Sequence, residues 1–180
     1  QWLADSINAW AKDPRIIDTG RSLFHHYFET NKATSSAAID IKLLKKGIVS
    51  RYDEYFKTYA KSINWDWKLL AAQGYAESKF DPQATSWVGA RGVMQLMPAT
   101  ARRYGLSEEE ITNPQRNIET AVKVIADLDK SLNKYVSDPE ERKKFIIAAY
   151  NSGIAHIYDA IALATKYGKN PQLWENNVSD

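Results

Sequence analysis

The chain has 180 residues, enough for one well-buried domain with a smaller appendage and too few for two large domains. Its 24 basic and 22 acidic residues leave a formal net charge of +2, a field too weak to single out nucleic acid or an anionic membrane as the main partner. With no cysteine, disulfides, thiolate metal sites and cysteine nucleophiles are excluded and the redox compartment is left open, while no apolar run approaches the roughly 20 residues of a membrane-spanning helix.

Strand signals are scarce and helical periodicity is present almost throughout, so the expected fold class is all-α. In residues 1–45, Asp13-Pro14 and the Ser/Thr/Ala-rich stretch Ala33 to Ala38 punctuate two short helical pieces, the second strongly aromatic through Phe24, Tyr27 and Phe28. This appendage reads either as a satellite of the main domain or as the end of a preceding one, with a boundary near residue 45. Adjacent His25 and His26 point to different faces of a helix, and with His156 they lack a carboxylate at ligand spacing, so no metal site is expected. The basic runs Lys42, Lys45, Lys46 and Arg142, Lys143, Lys144 read as solvated helix faces.

The main domain, 46–180, opens with the stripe Val49, Tyr52, Phe56, Tyr59 and Ile63, whose spacings of three and four put five apolar side chains on one helical face. Asn64 or Asp66 caps a following helix that runs through Glu77, with Leu69 and Leu70 on its buried side. From Phe80 to Met97 the periodicity lapses and Pro82, Gly89 and Gly92 predict a structured loop. Pro98 suits the start of the next helix and Gly105 its end. Ser107 and Glu110 form a capping box, and Ile118, Val122, Ile125 and Leu132 mark a longer helix after Asn113-Pro114. Asp138-Pro139 with Glu141 starts a helix that carries Phe145, Ile146 and Ala149 and ends near Gly153. A last helix uses Ile154, Ile157, Tyr158 and Ile161 before Gly168, and Asn170-Pro171 turns toward Trp174.

Three segments place polar side chains where a helix meets a glycine-containing loop: Glu77-Ser78, then Gly89 to Pro98, then Ala148 to Gly153. Each alone is weak, because a Glu near a helix end is usually solvated and Tyr-Asn-Ser-Gly is most often a helix C-cap. Together they form an ordered pattern: a Glu-Ser pair, Ser86 nine residues after the Glu, Gly-x-x-Gln-x-Met-Pro at Gly92 to Pro98, and Ala-Tyr-Asn-x-Gly at Ala149 to Gly153. That pattern resembles the lytic transglycosylases of glycoside hydrolase family 23, relatives of goose-type lysozyme, over roughly residues 47–175. Ile63 to Ala71 and Gly168 to Trp174 look like the membrane-bound branch of that family, whose members carry a solute-binding-protein-like domain in front of the catalytic one; Leu3 to Phe28 resembles the final helices of such a domain.

The resemblance implies a lysozyme-like helical domain, goose-type or soluble-lytic-transglycosylase-like, acting on peptidoglycan glycan strands in the periplasm, with outer-membrane attachment in the full-length protein. A monomer that uses no cofactor and no metal is expected. By the chemistry of that family, Glu77 is expected to protonate the glycosidic oxygen, the sugar's own 2-acetamido group to support the cationic centre, and Glu77 then to take the proton of the 6-hydroxyl, giving a 1,6-anhydromuramoyl product. Tyr150 is expected to hydrogen-bond near Glu77, and Ser86 to orient Glu77 or the acetamido group. Ser78, Gln95, Met97 and Asn151 are expected around the cleft, with Gly92 letting the backbone pass close to the glycan. Tyr150 and Gln95 also admit a plainer reading as buried, satisfied polar residues and Met97 as core filler, and Trp87 either stacks on a sugar or packs on its loop. Two-carboxylate glycosidases need a partner about 5–10 Å from the acid; Asp81 is nearest in sequence, but Phe80-Asp81-Pro82 reads as a turn. A hydrolytic muramidase and a catalytically weak glycan-binding module remain the alternatives. The family's fourth cleft segment would lie beyond Asp180, so the catalytic part is expected to be C-terminally truncated, and the opening at Gln1 without an initiator Met suggests a piece of a longer protein.

Overall fold

A computed structural model describes residues 47–179. The appendage of residues 1–45, its boundary, His25, His26 and the run Lys42, Lys45, Lys46 lie outside the described residues. Within them the apolar stripe becomes helix α1, Asp53–Ala60, followed by a tighter turn at Lys61–Ile63. Tyr52 and Phe56 are buried, with Val49, Tyr59 and Ile63 packed beside them. The helix is shorter than its stripe because Asn64 adopts a left-handed backbone (φ 54°), which no helix continues through.

Asp66, not Asn64, caps α2, Trp67–Ser78, its carboxylate accepting the Lys68 backbone N–H at 2.8 Å. Two consecutive left-handed residues, Lys79 (φ 58°) and Phe80 (φ 66°), end α2 and turn the chain sharply after Glu77-Ser78. Phe80 anchors the turn between Phe56 and Tyr75, with ring centroids at 5.9 and 5.5 Å. The loop that follows leads into α3, Pro98–Arg103. Next, Ser107 and Glu110 exchange hydrogen bonds of 3.0 and 3.3 Å, the expected capping box, around the turn Glu110–Thr112.

Helix α4, Pro114–Leu132, is the centre of the fold, packing on α1, on both short turns and on α5, Pro139–Ser152. Ile118, Ala121, Val122, Ile125 and Leu132 form its buried face. Asn113 caps α4 and Asp138 caps α5, each through a side-chain oxygen. Glu141, expected to complete a box with Asp138, instead accepts from Lys144 at 2.8 Å and from the Trp174 backbone N–H at 3.1 Å. It thereby ties the C-terminal segment to α5, where Trp174 packs edge-on against the fully buried Phe145. Helix α6, Ile154–Lys166, follows α5 across Gly153 alone. No helix among the described residues is long and apolar enough to cross a membrane.

Arg142 departs from the solvated-face expectation, because it is buried. Its guanidinium donates to Asp129 at 2.7 Å and to the carbonyls of Val136 and Ser137 at 2.8 and 3.0 Å, closing the loop between α4 and α5. A carbonyl stripped of such a donor loses its partner inside the fold, whereas the half-exposed Asp129 can turn to water. Arg142→Met is therefore expected to cost about 2–4 kcal/mol and Asp129→Asn no more than about 1 kcal/mol, which paired denaturant titrations will check.

Candidate active site

The turn at Lys79 and Phe80 leaves Glu77 and Ser78 on the last turn of α2, with Ser78 bonded to the loop 84–97. The loop is folded on itself by backbone bonds: Gly92 N–H to Ala84 O at 3.0 Å, and a reciprocal pair between Arg91 and Leu96 at 2.9 Å each way. Gln95, itself left-handed (φ 48°), donates its side-chain amide to the carbonyls of Ala84 and Gly92 at 3.1 and 3.0 Å, so it braces the loop from within.

Asn117 on α4, fully buried, fixes this loop to the core. Its Oδ1 accepts the Met94 backbone N–H at 2.7 Å, and its Nδ2 donates to Ile111 O at 2.9 Å and Arg91 O at 3.2 Å. Gly92 is required by that arrangement. A Cβ there would meet the Asn117 amide and come within 2.6 Å of the Ile111 carbonyl, and the residue's φ of 81° already disfavours a side chain. Within the fold, the glycine serves the close approach of α4.

The two carbonyls beside Met94's N–H then gather the other candidates. Ser78 Oγ donates to Val93 O at 2.8 Å, and the Tyr150 hydroxyl, from the last turns of α5, donates to Met94 O at 2.8 Å. Tyr150 does not hydrogen-bond Glu77, but it meets it electrostatically: burial, then the charge of Glu77, push the phenol well above its ordinary range. Glu77 is half-buried, no side-chain hydrogen bond reaches it among the described residues, and desolvation raises its carboxyl above the usual glutamate value. Glu77, Ser78, Gly92, Gln95 and Tyr150 thus meet around one loop.

The remaining candidates sit farther out. Ser86 accepts the Ala90 N–H at 3.0 Å and closes the outer end of the loop, without a bond to Glu77. Met97 is 41% exposed, Trp87 is 72% exposed, and Asn151 is exposed on the last turn of α5. Trp87 therefore does not pack on its loop, and Met97 is not core filler. Asp81 is exposed and its carboxylate accepts the Gln83 N–H at 2.9 Å, the turn that its context predicted. Sequence reasoning missed Asn117 altogether. The available signal was its place four residues before Ala121, at the edge of an apolar helical stripe where a polar side chain needs buried partners.

The family model of the transglycosylase SLT domain matches residues 54–173. Over 124 residues the chain is 41% identical to a membrane-bound lytic murein transglycosylase F of Pseudomonas fluorescens (strain Pf0-1), a match covering 69% of this chain and 25% of that protein. A protein of the same description from Maricaulis maris (strain MCS10) is 38% identical over 126 residues, covering 70% of this chain and 27% of its own. The chain spans about a quarter of the length of these curated relatives. Among solved structures, an inactive mutant of lytic transglycosylase Slt from Pseudomonas aeruginosa matches with a TM-score of 0.55 at 21% identity, covering 85% of this chain and 23% of that one. At that identity the likeness is one of fold, and it bears out the all-α, lysozyme-like expectation.

The raised carboxyl carries a stability signature. A buried acid that holds its proton more tightly in the folded state stabilises the fold below the unfolded value, and that contribution is lost as pH rises through the folded value. Glu77→Gln, which cannot ionise, is expected to melt like the wild type below pH 4 and to melt higher than it at pH 7. Calorimetry at the two pH values checks the sign.

Proposed function

Because the chain belongs to the transglycosylase SLT domain family, we propose that it cleaves the β-1,4 bond between N-acetylmuramic acid and N-acetylglucosamine of peptidoglycan without consuming water. The observation that carries this reading is a half-buried carboxyl that no side-chain hydrogen bond reaches among the described residues. Burial keeps Glu77 protonated to higher pH than an ordinary glutamate, which suits a general acid, while Asp81 is exposed and committed to its own turn. The two-carboxylate mechanisms need a partner about 5–10 Å from the acid, and Asp81, the nearest in sequence, is tied to its own turn instead.

In the proposed reaction, Glu77 gives its proton to the glycosidic oxygen as the bond to C1 breaks. The muramoyl 2-acetamido oxygen supports the positive charge at C1. Glu77, now a carboxylate, takes the proton of the 6-hydroxyl as O6 bonds to C1, and the acid is regenerated with a 1,6-anhydro ring in the product. Tyr150 keeps its own proton under burial and the charge of Glu77, so it acts here as a wall of the site and a clamp on Met94, not as a second acid. Ser78, Gly92 and Gln95 hold the loop in place. The exposed Met97, Asn151 and Trp87 offer surface to the glycan, Trp87 with a ring face suited to stacking on a sugar. Ser86 is assigned to the substrate's acetamido group. We place the protein in the periplasm as a monomer, attached to the outer membrane when full length, and assign residues 1–45 to the tail of a solute-binding-like domain.

Digestion of peptidoglycan in water enriched with heavy oxygen separates the alternatives. Anhydro products free of the label are expected. Labelled reducing ends one water heavier would show a hydrolytic muramidase, and no soluble product at all would show a binding module.

A further inference from the structure

Gln73 lies one helical turn before Glu77 on α2 and is only 8% exposed. Its Oε1 is buried without a hydrogen-bond partner among the described residues. An unpaired buried carbonyl is costly, and such groups are rare enough in folded proteins that each calls for a reason. Apolar packing supplies none here, since a Met or Leu would fill the same volume without the cost.

The surroundings narrow the reason. Residues four apart on a helix stand one above the other, with Cβ atoms about 5–6 Å apart, so the amide of Gln73 and the carboxyl of Glu77 share a face. The polar side chains gathered at the adjoining loop are already occupied: Ser78 Oγ by Val93 O, the Tyr150 hydroxyl by Met94 O, and the Gln95 amide by Ala84 O and Gly92 O. A protonated carboxyl is a hydrogen-bond donor in need of an acceptor, and Gln73 Oε1 is a dry acceptor in need of a donor.

We propose that Gln73 is a positioning residue for the reaction, its Oε1 accepting the hydrogen of the protonated Glu77 carboxyl and holding the acid in its proton-bearing form before the glycan arrives. Once the proton has gone to the glycosidic oxygen, the bond is lost and Oε1 faces a carboxylate, a repulsive pair that favours return of the proton from the 6-hydroxyl. Desolvation alone already shifts Glu77 in the same direction, and Tyr150, from α5, is the titratable group that meets it electrostatically. The inference rests on the role proposed for Glu77, but its test does not use peptidoglycan.

The test is a carbon-13 NMR titration of the Glu77 carboxyl in the whole chain, with the resonance assigned by its absence from Glu77→Gln. In Gln73→Met the midpoint is expected to fall by roughly 0.5–1 pH unit, the size of one ordinary hydrogen bond, with no loss of melting temperature. A merely structural glutamine predicts the opposite sign, because Met adds apolar surroundings and leaves the midpoint unchanged or higher; either result overturns the proposal. Should Gln73→Met not fold, the Gln73 side-chain carbonyl of the unaltered protein gives the answer. Its shift is expected to titrate with the Glu77 midpoint, and a shift indifferent to that midpoint overturns the proposal. The reading of Glu77 as a lytic acid stands or falls separately, on its products.

Discussion

The site depends on one buried side-chain amide. Asn117 accepts the N–H of Met94 and donates to the carbonyls of Arg91 and Ile111, so that α4, the most connected helix, holds the loop that faces α2. Each later contact is made to that loop: Ser78 grips Val93 O, and Tyr150 grips Met94 O. A buried amide with both ends satisfied fixes geometry better than apolar packing, because any displacement leaves a polar group dry. Gly92 follows from the same constraint, since only a residue without a side chain lets the Asn117 amide approach.

Around this anchor the polar groups of the site are spent on structure, and Glu77 is left out of their bonding. Half-buried, with no donor on its oxygens among the described residues, it is shifted by desolvation toward the protonated form. A hydrogen bond from Tyr150 would stabilise the carboxylate and lower the pH up to which Glu77 holds its proton. Tyr150 instead sends its hydroxyl to Met94 O and makes no such bond. The architecture and the acidity therefore share an origin.

Much of the frame was legible in the sequence because caps and periodicity are local. Asp138-Pro139, Asn113-Pro114 and the Ser107/Glu110 box begin their elements as expected, and the α4 stripe is buried at the positions read from its spacing. What was not legible depends on partners distant in sequence. Asn117 finds Met94 and Arg91 across 23 and 26 positions, and Arg142 is buried because α4 and α5 close a loop over it. Glu141 was read as a local cap and is used 33 residues away at Trp174. The contact that demands a glycine at position 92 comes from Asn117 and the Ile111 carbonyl, both distant in sequence. Gln73 carried no sequence signal at all, since a Gln on a helix is ordinarily solvated.

The central claim is that a single carboxyl performs both proton transfers, and the turnover of Glu77→Gln on intact peptidoglycan tests it most directly. The variant keeps the shape of the side chain and loses its proton chemistry, so the account predicts an unchanged fold, retained glycan binding and a rate lowered by at least about 10²–10⁴. Lysis by Glu77→Gln at a rate comparable to the wild type would contradict it.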